Sequence, residues 1–197
     1  MVRLKLFFVI FLFSLAAAHC YGQQSKETWT QISMESIGSN VSGGIYRDNN
    51  ILVFDANYNY DFAKTATVCA GKNFGNDKFS VIPEFCGLVG LFNGGGPKVW
   101  FYSDTNNHFF ESYLQYAKVN KNASFAYAWF QAEKKIGRGI RFGIAGQSLR
   151  ESASRSFKTD IGPSASIKIK KHLTLSFSPL FGTSGRITPY AKIAYEF

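Results

Sequence analysis

The sequence predicts an all-β protein built from antiparallel strands. Hydrophobic and polar residues alternate over long stretches, and clusters of Gly, Asn, Asp or Ser separate these stretches. This is the pattern of strands joined by tight turns, and a helical 3.6-residue periodicity is hard to find. Aromatic residues make up 17% of the 197 residues and charged residues only 18%. The composition therefore excludes a disordered, charge-dominated chain.

The first segment predicts export. Arg3 and Lys5 flank the start of a nearly continuous apolar run over residues 6–18. The run is too short for a transmembrane helix, which needs about 20 residues, and it fits the apolar region of a secretory signal peptide. We expect residues 1–22 to be removed, which leaves residues 23–197 as one domain. A retained membrane anchor and a lipidated cysteine are the alternatives.

The remaining chain shows the alternation most clearly near its two ends. In Ile51–Phe62 the apolar side chains share one face, and Asp55 and Asn57 share the other. Arg186–Phe197 repeats this arrangement. The pattern predicts about ten strands, with eight or twelve as alternatives, near residues 51–62, 65–74, 79–92, 97–103, 108–119, 123–133, 138–149, 159–170, 172–181 and 186–197, with a further candidate near 32–46. Asn76-Asp77, Asn93 to Gly96 and Gly182 to Gly185 are predicted turns.

Alternating strands fit two architectures. A soluble barrel turns its apolar face inward, whereas a membrane barrel turns that face toward lipid. Most predicted strands have 10–12 residues, which suits a tilted membrane crossing of about 9–11 residues better than an average soluble strand of about 5–6. Aromatic residues such as Tyr58, Tyr116 and Tyr195 lie toward strand ends, as in membrane barrels. The buried face of the strands at 51–62 and 186–197 distinguishes the two architectures.

The last strand carries a specific pattern. The chain stops at Phe197, and Tyr195, Ile193 and Ala191 precede it at alternate positions. This pattern resembles the terminal strand of bacterial outer-membrane β-barrel proteins, in which such residues are recognised by the outer-membrane assembly machinery. The resemblance implies an antiparallel up-and-down transmembrane β-barrel in the outer membrane. Its partners would be outer-membrane lipids, lipopolysaccharide and the assembly machinery.

Several charged residues fall on the polar face and are predicted to point into the barrel. A narrow barrel requires such charges to pair or to be hydrated, because an isolated buried charge is costly. A salt-bridged plug and a small pore are both compatible with them. The predicted lumen charge network consists of Asp55, Glu84, Glu111, Arg141, Lys168 and Lys192.

Two cysteines, Cys69 and Cys86, lie on neighbouring predicted strands, and the turn between them is close to their midpoint. An exported protein with two remaining cysteines can form one disulfide. The alternatives are a disulfide inside the barrel and two buried thiols.

Enzymatic motifs are not found. His108 has Glu111 and Ser112 nearby, which invites comparison with lipid-modifying enzymes, but no known catalytic signature surrounds it. There is no G-x-S-x-G, phosphate-binding loop, H-E-x-x-H or metal-type Cys/His spacing. The sequence therefore predicts a protein that is not an enzyme and that has no cofactor.

The formal charge of +9 comes from scattered lysines and arginines, which does not indicate nucleic-acid binding. With both chain ends on the periplasmic side, the connection over residues 150–158 would be outside, as long loops of this class are. Arg150, Arg155, Lys158 and Arg186 could then meet lipopolysaccharide phosphates, although a solvated loop surface explains them equally well.

The predicted function is an integral outer-membrane barrel with a structural, surface-interaction or narrow porin-like role. The first alternative is a secreted soluble barrel that binds an apolar ligand. The second is an outer-membrane lipid-modifying enzyme.

Overall fold

The computed structural model describes the backbone of residues 29–35, 38–47, 50–59, 64–76, 78–119, 123–152, 157–170, 172–183 and 185–196. No helix in these ranges is long and apolar enough to cross a membrane. The described residues form twelve strands: β1 (Trp29–Glu35), β2 (Gly38–Arg47), β3 (Asn50–Asn59), β4 (Thr65–Asn76), β5 (Phe79–Gly90), β6 (Gly94–Asp104), β7 (His108–Val119), β8 (Ala123–Gly137), β9 (Ile140–Glu151), β10 (Lys158–Lys170), β11 (Leu173–Gly182) and β12 (Ile187–Glu196).

The strands close into an up-and-down barrel. Each strand pairs antiparallel with its neighbours in the chain, and β1 pairs with β12, where Met34 lies opposite Ile193. We call the end that holds the start of β1 and the end of β12 the terminus end. The opposite end, which carries the connection between β9 and β10, is the loop end. The predicted antiparallel up-and-down barrel is confirmed.

The strand number is twelve, one of the two alternatives, rather than ten. The additional strands come from the candidate near residues 32–46, which is the hairpin of β1 and β2. Gly38, Gly43 and Gly44 interrupt the side-chain alternation there, so the sequence suggests one weak strand where the structure has parts of two.

The glycines at 94–96 were predicted as a turn, and this is wrong, because they begin β6 and pair with β5. A Cβ atom on Gly94 would lie 1.9 Å from the carbonyl oxygen of Lys118, and one on Gly96 would lie 2.1 Å from that of Tyr116. Glycine is therefore required by the close approach of β6 to β7, not by a turn.

The apolar face of the barrel points outward. On β3, Leu52 and Phe54 are exposed, whereas the alternate residues Val53 and Asp55 are buried. The same arrangement recurs on the later strands, whose large exposed side chains include Val68, Phe85, Val89, Leu114, Phe142, Ile144, Ile167, Phe177, Phe181, Ile187 and Ile193. Such a continuous apolar exterior would be poorly hydrated, and it suits a lipid environment. The soluble barrel with an apolar core requires the opposite orientation.

Candidate functional site in the barrel interior

Acidic residues are confined to one face of the strands whose side chains are described, whereas basic residues occur on both faces. On the strands whose side chains are described, the acidic residues occupy inward-facing positions: Asp55, Glu84, Asp104, Glu111, Glu133, Glu151, Asp160 and Glu196. The outward-facing positions of the same strands carry basic residues instead: Lys72, Lys118, Lys134 and Arg150. The interior also holds the basic partners of several of these carboxylates, and it is therefore the site where oppositely charged groups meet: Lys98, Lys135, Arg141, Lys168 and Lys192.

The first interior cluster is centred on Lys98 of β6, which is 5% exposed. Its ammonium group donates to Asp55 Oδ2 of β3 and lies 3.5 Å from Glu84 Oε2 of β5. It also lies 4.3 Å from the ring centroid of Trp100 and 5.0 Å from that of Tyr113. One cation thus compensates two buried carboxylates, and the aromatic faces complete its surroundings.

The second cluster lies at the terminus end. Asp104 accepts from Arg141 Nη2 at 3.1 Å and is 2.7 Å from Lys135 Nζ. The Arg141 guanidinium lies 4.4 Å from the ring centroid of Phe109. Asp104 and Lys135 are about a quarter exposed, so this cluster is in contact with water. Predicted residue Lys168 lies at the same end.

The third arrangement crosses the lumen. Lys192 Nζ of β12 is 3.6 Å from Glu111 Oε2 of β7. In the order of strands around the barrel, β7 and β12 are separated by four intervening strands. The rings of Trp129 on β8 and Tyr190 on β12 are 4.4 Å apart and join the same two sides. Side chains, not backbone, therefore narrow the interior.

A polar network surrounds Glu133, which is 3% exposed. Its Oε1 atom accepts from Gln131 at 2.8 Å, from Ser164 at 2.6 Å and from Ser166 at 2.8 Å. Three donors offset part of the cost of burying a carboxylate. The serines come from β10, so the network ties β8 to β10 across β9.

Cys69 and Cys86 form a disulfide. They lie directly opposite each other on β4 and β5, and both are buried. The Glu84 carboxylate is within 4.8 Å of the two sulfurs. Because metals bind thiolates and these sulfurs are joined to each other, this group does not form a metal site while the disulfide is intact.

His108 and Glu111, which suggested an enzyme in the sequence, do not lie together in the structure. His108 begins β7 and is exposed on the outward face, where its backbone N–H donates to Thr105 Oγ1 and its carbonyl oxygen accepts from the Thr105 N–H. Glu111, three residues further along the strand, points inward and pairs with Lys192. Since a catalytic acid–base pair must lie within hydrogen-bond reach, this histidine and this carboxylate do not act together.

The six residues of the predicted lumen charge network occupy inward-facing positions, but they form several separate pairs. Asp55 and Glu84 share Lys98, Arg141 meets Asp104, and Glu111 meets Lys192. Lys168 is 4.0 Å from Glu196. The prediction omitted Lys98, Asp104, Glu133 and Lys135, although the alternation within β6 and β8 places them on the inward face.

The proposed assembly residues Ala191, Ile193 and Tyr195 share the exposed, outward face of β12. Phe197 lies outside the described residues, as does the predicted signal peptide. Both remain predictions.

No protein-family model matches the chain. No curated protein matches it in sequence. Solved structures do match its shape. The NanC porin is 11% identical, with 87% of this chain and 99% of that chain covered and a TM-score of 0.50. The KdgM porin in complex with disordered oligogalacturonate is 12% identical, with 86% and 97% covered and a TM-score of 0.51.

The chain has the fold of a small outer-membrane porin barrel. A third structure, from work on in-meso crystallisation of membrane proteins, has a TM-score of 0.59 at 8% identity, with 86% of this chain and 83% of that chain covered. The outward apolar face and the polar interior agree with this fold.

Proposed function

We propose that the protein is an integral barrel of the bacterial outer membrane that provides a narrow, porin-like passage for small polar solutes and ions. The fold and the outward apolar face support the location. The export step of the proposal requires residues 1–22 to act as a signal peptide.

The observation that carries the proposal is a constriction built from side chains. Glu111–Lys192 and Trp129–Tyr190 both join opposite sides of the interior. Side-chain rotamers rearrange far more readily than strands do, so such a constriction can admit water and small ions without opening the barrel. Eight-stranded barrels are filled by their side chains and 16–18-stranded porins leave a channel, which places twelve strands between the two.

The charge inside argues for a passage with weak charge preference. Five inward acidic residues lie within ion-pair distance of inward basic residues: Asp55 and Glu84 with Lys98, Asp104 with Lys135 and Arg141, Glu111 with Lys192, and Glu196 with Lys168. A passage dedicated to an acidic saccharide would need a surplus of cations along its wall. We therefore do not propose oligogalacturonate, which is named for the KdgM structure, as a solute of this protein.

A closed, structural barrel is the second candidate. It is favoured by the close packing of the interior, where Leu180, Ser164 and Ser178 are at most 1% exposed. In this case the interior contacts would hold the walls together and no solute would pass.

Ion conductance distinguishes the two. The purified protein is inserted into planar bilayers, and the wild type is compared with Trp129→Ala, which removes one side of the aromatic contact. Phe181→Ala, on the outward face, is the matched control. We expect small, discrete conductance steps in the wild type and the control and larger steps in Trp129→Ala. Insertion without any conductance, in both wild type and Trp129→Ala, would refute the passage and leave the structural barrel.

Location is tested by fractionation of the host envelope and by gel mobility of heated and unheated samples. An outer-membrane band whose mobility changes on heating is expected for a folded membrane barrel. A soluble exported protein would contradict the proposal.

A further inference from the structure

A groove of about 340 Å³ lies on the outer face of β7, β8 and β9 near the loop end. Its floor consists of the small side chains of Ala126, Ala128 and Ser148, and its walls include Leu114 and Tyr116 on one side and Phe157 on the other. Small residues set between large ones leave a depression in the otherwise filled apolar surface. The Ser148 hydroxyl is 3.0 Å from that of Thr159, so the floor offers no unsatisfied polar group at that position.

The register gives the groove a direction along the strands. Ala128 lies between Leu114 of β7 and Ser148 of β9, and Ala126, nearer the loop end, lies between Tyr116 and Arg150. An extended hydrocarbon chain that follows the floor from Ala128 to Ala126 therefore reaches Arg150.

Two cations stand at the loop end of this groove. Arg150 follows Ser148 on the outward face of β9, and its guanidinium lies 5.3 Å from the ring centroid of Phe157. Lys118 follows Tyr116 on the outward face of β7. Both side chains are exposed.

Among the residues whose side chains are described, these cations have no acidic counterpart on the outward face. Glu151, which follows Arg150, points inward, as do the other acidic residues of the strands whose side chains are described. An apolar groove that ends at exposed, unneutralised cations is complementary to a lipid with an acyl chain and an anionic headgroup.

We propose that the groove binds one acyl chain of lipopolysaccharide, with a phosphate of its lipid A part held between Lys118 and Arg150. This inference rests on the proposed outer-membrane location. The choice of lipopolysaccharide follows from the end of the barrel at which the groove lies, because the loop end carries the connection over residues 152–157 and outer-membrane barrels place their longer loops on the outside.

The test measures binding of purified lipopolysaccharide to the folded, detergent-solubilised full protein, with phosphatidylglycerol as the competing anionic lipid. Ala128→Trp fills the groove without changing charge. Its matched control is Ala132→Trp, on the outward face of the same strand but outside the groove lining. The variant K118Q/R150Q removes the cations, and Lys134→Gln removes an outward cation near the terminus end.

We expect Ala128→Trp and K118Q/R150Q each to weaken lipopolysaccharide binding by about tenfold, since charge-assisted contacts and acyl burial each contribute about that much. Ala132→Trp and Lys134→Gln should bind like the wild type. Unchanged binding by Ala128→Trp, or equal loss in both tryptophan variants, would overturn the proposal. Equal affinity for phosphatidylglycerol would overturn the choice of lipopolysaccharide.

The same samples separate this inference from the proposed function. Heat-dependent gel mobility verifies that each variant is a folded barrel. Selective lipid binding without ion conductance would refute the passage and keep the site. Conductance without selective lipid binding would refute the site and keep the passage.

Discussion

Lys192 and Glu111 form an ion pair that connects two sides of the barrel, with 3.6 Å between Nζ and Oε2. The two side chains are 14% and 13% exposed, so the pair is only partly shielded from water. Trp129 and Tyr190 lie one inward position nearer the loop end, and their ring contact restricts the interior next to this pair. A cation and an anion that meet in this way cancel each other's effect on a passing ion. Removing one of them should leave the charge of the other uncompensated and change the ion preference.

Glu111→Gln is therefore expected to shift ion preference toward anions, and Lys192→Met toward cations. Each shift in the anion-to-cation permeability ratio should be roughly fivefold, equivalent to about 1 kcal/mol for a partly hydrated charge. Reversal potentials in a salt gradient measure it. The double variant should return to the wild-type ratio, and shifts of the same sign in both single variants would contradict the pairing.

Lys98→Met should destabilise the barrel strongly. Asp55 and Glu84 would remain buried without their common cation, and breaking a buried ion pair in this way costs about 3–5 kcal/mol. Urea unfolding from lipid vesicles measures the change. The triple variant K98M/D55N/E84Q, which removes the charges together, should recover much of the loss. Lys118→Met, which removes an outward cation, is the control and should change little.

Removal of the disulfide should lower the free energy of unfolding by about 3 kcal/mol, the value expected for a closed loop of this size. Cys69 and Cys86 are 17 residues apart. C69S/C86S is unfolded in urea with and without reductant. Reductant should lower the free energy of unfolding of the wild type to that of the variant. It should leave the free energy of unfolding of the variant unchanged. A variant as stable as the oxidised wild type would contradict this.

The free-energy cost of a charged residue on the outward face should depend on its depth in the bilayer. Ile144 lies midway along β9, and Phe181 lies near the loop end of β11; both are exposed. Ile144→Lys should cost about 2–4 kcal/mol and Phe181→Lys about 0–1 kcal/mol, as lysine does at the middle and edge of a bilayer. Unfolding from vesicles measures both. Equal, small costs would contradict a lipid-facing wall.

Much of the wall could be predicted from the sequence. Alternation correctly assigned Phe54 to the face opposite Asp55, and Ile144 to the face opposite Arg141. It failed where side chains are missing, since Gly43 and Gly44 obscure β2 and the glycines at 94–96 look like a turn. There the close packing of neighbouring backbones, which a single segment does not reveal, decides the structure.

The sequence by itself determined which residues of a clearly alternating strand share a face, because the side chains of a strand alternate with a period of two whatever the strand packs against. It thus placed Glu111 and Lys192 on the polar face of their strands, which the predicted membrane barrel turns inward. Only the tertiary structure decided that these two meet, that Lys98 serves two carboxylates, and that Ala126 and Ala128 lie under a groove ending at Lys118 and Arg150. The physical reason is that barrel closure sets the number, tilt and stagger of the strands together, and these global quantities determine which side chains face each other.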